Sequence, residues 1–98
     1  MSEFASPENT ESLEKKIERL RPIFELSKKT FETVENLKEA ALTVTRRLPD
    51  GTIEIIPDLV VMGIDADGPN LAGIDPDGGP SFSATMLWTE LIDAKKEL

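Results

Sequence analysis

The stretch Thr43-Val44-Thr45-Arg46-Arg47-Leu48-Pro49-Asp50-Gly51-Thr52-Ile53-Glu54-Ile55-Ile56 decides the fold class, because the hydrophobic period changes from 3.6 to 2 just before it. Thr43, Val44 and Thr45 are β-branched, and their stiff side chains suit a pleated strand better than a helix. Leu48-Pro49-Asp50-Gly51 reads as a tight turn: proline presets the second position, aspartate tolerates the third, and glycine takes the left-handed conformation. Thr52 to Ile56 is then the return strand. A three-residue loop between Leu48 and Thr52 sets Arg46 opposite Glu54 as a cross-strand ion pair. Pro57 ends that strand or makes a bulge in it.

Upstream the pattern is helical. Leu13, Ile17, Leu20, Ile23, Phe24, Phe31, Val34, Leu37 and Ala41 recur at spacings of three and four, a stripe too wide for a strict zipper and suited to bundle packing. Ser27 and Lys38 fall where a zipper would want apolar groups. Glu11/Lys15, Glu25/Lys29 and Lys28/Glu32 stand at i,i+4 on the outer side, each pair contributing about 0.3 kcal/mol. Pro22 lacks the N–H that the Glu18 carbonyl would accept, and its ring crowds that turn. The expectation is either a short helix over 11–20 followed by a longer one over 22–41, or one kinked helix. Ser6-Pro7-Glu8 and Thr10-Glu11 are competing start signals. Residues 1–9 are expected to be a flexible N-terminus, and 10–98 a single α+β domain.

Downstream, Leu59-Val60-Val61-Met62-Gly63-Ile64 is apolar without alternation, as expected of a central strand covered on both faces. A local repeat of two copies follows, Gly63-Ile64-Asp65-Ala66-Asp67-Gly68 and Gly73-Ile74-Asp75-Pro76-Asp77-Gly78, too few for a solenoid. Residues 68–80 hold four glycines and three prolines, which reads as a turn-rich acidic loop with one short strand around Leu71–Ile74. Ser81 or Ser83 caps a C-terminal helix whose inner stripe is Ala84, Leu87, Trp88, Leu91, Ile92 and Lys95. The expected class is α+β: an N-terminal amphipathic helix or kinked pair, a small antiparallel sheet, and a C-terminal helix.

The 98 residues contain no His, Cys or Tyr, which removes Cys/His metal sites, thiol nucleophiles, His-based triads and disulfides. No glycine-rich loop precedes a helix in phosphate-binding form, and nothing places two acids in a cleft for acid–base work. The reading is therefore non-enzymatic, with no cofactor. The net charge of −8 is segregated: residues 1–47 carry nine acids and nine bases, whereas 48–94 carry nine acids and no base. Such a half repels nucleic acid and anionic membranes and attracts cations or basic protein surfaces; it also suits a mimic of nucleic acid. Its plain alternative is a device for solubility.

Asp65, Asp67, Asp75 and Asp77 are the candidate metal ligands, because carboxylates at alternate positions with glycine place hard oxygens around calcium. The EF-hand template fails in every frame, with Pro76, Ile74 or Ala84 at the closing glutamate's position. The plain reading makes all three x-[Pro/Ala]-Asp-Gly segments turns. The leading function is a small, self-associating interaction protein that meets a basic protein surface through Asp50, Glu54, Asp58, Asp65, Asp67, Asp75 and Asp77. Its homo-oligomer interface is expected on Ile17, Leu20, Phe24, Phe31, Val34 and Leu37. The alternative is a protein that sequesters a small molecule or divalent cation near Asp65–Asp77. No secretory signal or membrane span is seen, so the expected place is the cytoplasm, or a host cytoplasm or virion. None of these short motifs is specific enough to name a family.

Overall fold

Residues 11–97 are described by a computed structural model; the expected flexible segment 1–9 and the Ser6-Pro7-Glu8 start signal lie outside them. Ser12 caps the first helix, α1 (Leu13–Thr33), its hydroxyl accepting from the Lys15 N–H at 3.1 Å. The helix runs through Pro22 without interruption, so the expected pair of helices is one element. It stops at Thr33 rather than 41. The Thr30 hydroxyl donates to the Leu26 carbonyl and the Thr33 hydroxyl to the Thr30 carbonyl, while Val34 turns extended at ψ 151°. A single 3-10 turn, Leu37–Ala40, follows, capped by the Asn36 side chain.

Five strands complete the chain: β1 (Leu42–Arg47), β2 (Ile53–Asp65), β3 (Gly68–Ile74), β4 (Pro80–Thr85) and β5 (Leu91–Lys96). They form one antiparallel sheet in the order β4-β3-β2-β1-β5. The first hairpin has the expected register. Leu48 N–H donates to the Thr52 carbonyl at 2.8 Å, Arg46 pairs with Glu54, and their side chains meet at 2.6 Å. The expected C-terminal helix is not present: β4 and β5 occupy its place. The spacing of Trp88, Leu91 and Ala94, all buried, mimics a helical stripe but belongs to a turn followed by a strand. What outweighs helix propensity here is pairing with β1, which would otherwise expose a full edge. The stretch 68–80 is likewise more ordered than a loop, with Pro69, Leu71 and Ala72 buried in β3.

β2 is the spine. Its first half pairs with β1 and its second with β3, the two overlapping at Leu59. It is bulged twice. Pro57 and Asp58 hold an extra residue opposite β1, with Asp58 at φ 58°, and Met62 is the extra residue opposite β3. A straight strand of 13 residues would span about 43 Å. Yet Arg47, paired with Ile53 at one end of β2, donates to the Glu90 carbonyl, and Asp67, just past the other end, accepts from the Trp88 N–H. Three residues of connector thus join both ends of β2, so the strand doubles back and the sheet curls.

The core fills that curl. Leu20 and Phe24 of α1 meet Leu42, Val44, Val61, Leu71, Met86, Trp88, Leu91 and Ala94 in one cluster. Ala40, Val60 and Ala72 form a second, flanked by Phe31, Val34, Leu37 and Ile74. Val60 and Val61 are neighbours on β2, face opposite ways and are both fully buried, so the strand is covered on both sides there as expected, whereas Met62 of the same run is exposed at the second bulge. Trp88 pins the connector in place. Its indole N–H donates to the Ala66 carbonyl at 3.1 Å, its ring lies 5.9 Å from Phe24 and 5.7 Å below the Arg21 guanidinium, and its carbonyl accepts from the buried Lys16 ammonium at 3.3 Å.

Candidate functional site

Turn chemistry sets the acidic groups of the sheet. At the β1–β2 turn the Asp50 carboxylate accepts the Thr52 N–H at 2.9 Å, and that bond, with the Thr52 hydroxyl, holds its pKa below the usual carboxylate range. At the β3–β4 turn the Asp77 carboxylate accepts the Gly79 N–H at 3.0 Å. The following glycines, Gly51 and Gly78, share φ 92°. These two Pro-Asp-Gly segments are one device built twice. The third copy, Asp65-Ala66-Asp67-Gly68, differs. Gly68 is buried at φ 155°, and a Cβ there would sit 1.9 Å from the Met86 carbonyl oxygen. Glycine is present at this position because the connector crosses over it.

The divalent-cation reading needs Asp65, Asp67, Asp75 and Asp77 together, and the fold does not bring them together. The first two precede β3 and the last two follow it, a separation of about 23 Å along seven residues of strand. Among the described residues no group of three or more His, Cys, Asp or Glu side chains is placed to hold a metal ion. The Asp65 carboxylate instead accepts the Thr85 hydroxyl at 3.2 Å.

The charge segregation survives folding in a sharper form. Arg46 offsets Glu54 and Glu90, at 2.6 and 3.2 Å, and Arg19 offsets Asp93 at 3.3 Å. Asp50, Asp65, Asp67, Asp75 and Asp77 are exposed, and none forms an ion pair with another described residue. Asp58 is half-buried at the bulge, where its own N–H donates to Glu97. Of the seven expected partner-binding acids, Glu54 is therefore already neutralised. The other six stand at turns or at the bulge.

The stripe expected to join two copies faces the chain's own sheet. Leu20 and Phe24 have no exposed surface, Ile17 packs beside them, and Phe31, Val34 and Leu37 lie half-buried on the second cluster. An apolar cavity of about 180 Å³ remains between α1 and β5, lined by Ile23, Leu26, Ser27, Leu42 and Ala94 among others. Its buried hydroxyl, on Ser27, donates to the Ala40 carbonyl at 2.7 Å, and the charged side chains in its lining are those of Glu39 and Lys96, both exposed. Sequence reasoning missed β4, where Phe82 is completely exposed. The signal was present in Pro80-Ser81-Phe82-Ser83, a proline boundary followed by alternation, but Ser81 and Ser83 read more readily as helix caps.

No family model, no characterised protein and no solved structure matches this chain.

Proposed function

We propose that this protein is a non-catalytic interaction module that binds a basic surface of a partner protein through the acidic half of its sheet. The observation that carries this reading is that Asp50, Asp65, Asp67, Asp75 and Asp77 form no ion pair among the described residues, beside ion pairs that neutralise Glu54, Glu90 and Asp93. Like charges within one turn, Asp65 with Asp67 and Asp75 with Asp77, repel one another; a basic partner relieves that repulsion and is steered toward it over a Debye length, about 10 Å at 0.1 M salt. The test uses the partner recovered from the native host on the immobilised chain and identified by mass spectrometry. Its association rate falls at least tenfold between ~20 and ~500 mM salt, the size expected of electrostatic steering. The combined Asp65→Asn, Asp67→Asn, Asp75→Asn and Asp77→Asn variant associates more slowly at low salt. A rate indifferent to both changes makes the acidity a solubility device and sinks the proposal.

A further inference from the structure

We propose that the outer edge of β4 takes up an extended, basic segment of the partner as a sixth strand of the sheet. This rests on the reading of the acidic half as a binding surface and names how that surface is engaged.

The main chain makes the first argument. Among the described residues β4 pairs only with β3, through Asn70↔Thr85, Leu71↔Ala84, Ala72↔Ser83 and, past a bulge at Ser81-Phe82, Ile74↔Pro80. The Met86 N–H donates to the Pro69 carbonyl, which directs residue 86 toward β3. Antiparallel alternation then directs Ala84 the same way, and Ser83 and Thr85 outward. Two N–H groups and two carbonyls, spaced for a strand, face away from the sheet.

The second argument is what guards each edge. Sheets blunt their edges with charge, proline, bulges or a covering element. β5, the opposite edge, carries Asp93, Lys95 and Lys96. β4 reads Pro80-Ser81-Phe82-Ser83-Ala84-Thr85: its guards, Pro80 and the bulge at Ser81-Phe82, stand at its start, and residues 83–85 carry no charge and are all exposed. Phe82, at 100% exposure, presents a whole aromatic ring to solvent beside those outward main-chain groups. Aromatic rings of this kind anchor interfaces rather than solvated edges. Strand addition takes its affinity from main-chain bonds and its selectivity from side chains, and both are offered here.

Charge identifies the occupant. Asp65 sits at the Thr85 end of β4, bonded to its hydroxyl, and Asp75 and Asp77 sit at the turn that leads into Pro80. No lysine or arginine lies between residues 48 and 94 to offset them. A second copy paired antiparallel on β4 would bring its Asp65 against Asp75 and Asp77, acid on acid. A partner strand with basic side chains at its ends meets attraction at both.

The probe is a dye-labelled peptide of about eight residues, long enough to cover β4, with lysine at each end and alternating valine and threonine between. Fluorescence anisotropy at ~50 mM salt follows its binding. We expect saturable binding, slowed amide exchange at Ser83 and Thr85, and at least tenfold weaker affinity for Ser83→Pro, which removes an outward N–H but no bond to β3. The same peptide N-methylated at alternate amides should lose affinity equally, and this arm needs no change to the protein if Ser83→Pro fails to fold. Equal binding of parent and methylated peptides overturns strand addition while leaving electrostatic attraction, and so the broader reading, in place. No binding at all overturns the edge proposal, whereas the broader reading then stands or falls on the salt dependence of the native partner. A dimer seen by light scattering that Ser83→Pro dissolves makes a second copy the occupant and overturns the basic segment.

Discussion

Gly68, Trp88 and Glu97 each hold together parts of the chain far apart in sequence, and two of them can be tested cleanly. Gly51 and Gly68 both follow aspartate in a turn, yet a Cβ at Gly51 meets nothing within 4 Å, whereas one at Gly68 strikes the Met86 carbonyl. Gly51→Ala should therefore cost only the left-handed backbone penalty, about 1–2 kcal/mol. Gly68→Ala must also displace main chain and should cost at least about 2 kcal/mol more, in the manner of an overpacked core. Denaturant unfolding of the two variants compares them, and equal losses would mean the connector does not press on Gly68. Glu97 accepts the Asp58 N–H at 2.6 Å and the Thr43 hydroxyl at 2.8 Å, latching the end of β5 to the β2 bulge. The Asp58 N–H first, then the Thr43 hydroxyl and the Lys38 charge, hold its pKa below the ordinary 4.5. A lowered folded pKa contributes stability above the unfolded value, and that contribution is lost as pH falls through and below 4.5. With its exposure discounted, the latch contributes about 1 kcal/mol at neutral pH. Glu97→Gln should thus melt below the wild type at pH 7, with the gap closing as the pH falls below 4.5 and Glu97 protonates; a gap constant with pH would show the charge to be irrelevant.

At the scale of elements, α1 carries a defect that the rest of the fold tolerates. Pro22 lies inside the helix and is exposed, so the Glu18 carbonyl has no intrahelical donor. The flanking residues Leu20, Phe24 and Ser27 are buried against the sheet and the 3-10 turn, and that packing holds the helix through the gap. Pro22→Ala should restore the bond and raise stability by about 1–3 kcal/mol, read as a higher denaturant midpoint with unchanged slope. A lower midpoint would mean that the proline's bend is needed for the helix to follow the curled sheet. Helix existence was legible from the stripe that begins at Leu13, but its end was not. After Phe31, Val34 and Leu37 continue the apolar spacing beyond Thr33, because a chain that leaves the helix for a 3-10 turn still lays them on the cluster of Ala40, Val60 and Ala72. The C-terminal misreading has the same origin. Leu87-Trp88-Thr89-Glu90-Leu91-Ile92-Asp93-Ala94-Lys95-Lys96 satisfies a helical pattern and propensity, and only the availability of β1 as a partner turns it into a crossing and a strand.

For the whole molecule, folding sorts the acids into neutralised and exposed sets. Neutralised acids lie near the arginines of β1 and α1, and the exposed ones project from the β1–β2, β2–β3 and β3–β4 turns. Their mutual repulsion should make the melting temperature rise between ~20 and ~500 mM sodium chloride. The Asp65→Asn, Asp67→Asn, Asp75→Asn and Asp77→Asn variant should lose most of that rise; a full rise retained would place the repulsion elsewhere. The sequence by itself determined whatever neighbours within a few residues decide: the first hairpin and its Arg46–Glu54 pair, the Pro-Asp-Gly turns, the presence of α1, the burial of Val60 and Val61 on β2 and the segregation of charge. Only the tertiary structure decided that Asp65 and Asp67 lie apart from Asp75 and Asp77, that the stripe of α1 is covered by its own sheet, and that residues 80–96 are strands with Trp88 at their crossing. The physical reason is the range of the interactions. Turn geometry and side-chain period act along the chain, whereas a strand becomes one by hydrogen bonding to another, and Ala94 finds its partner Val44 across half the sequence.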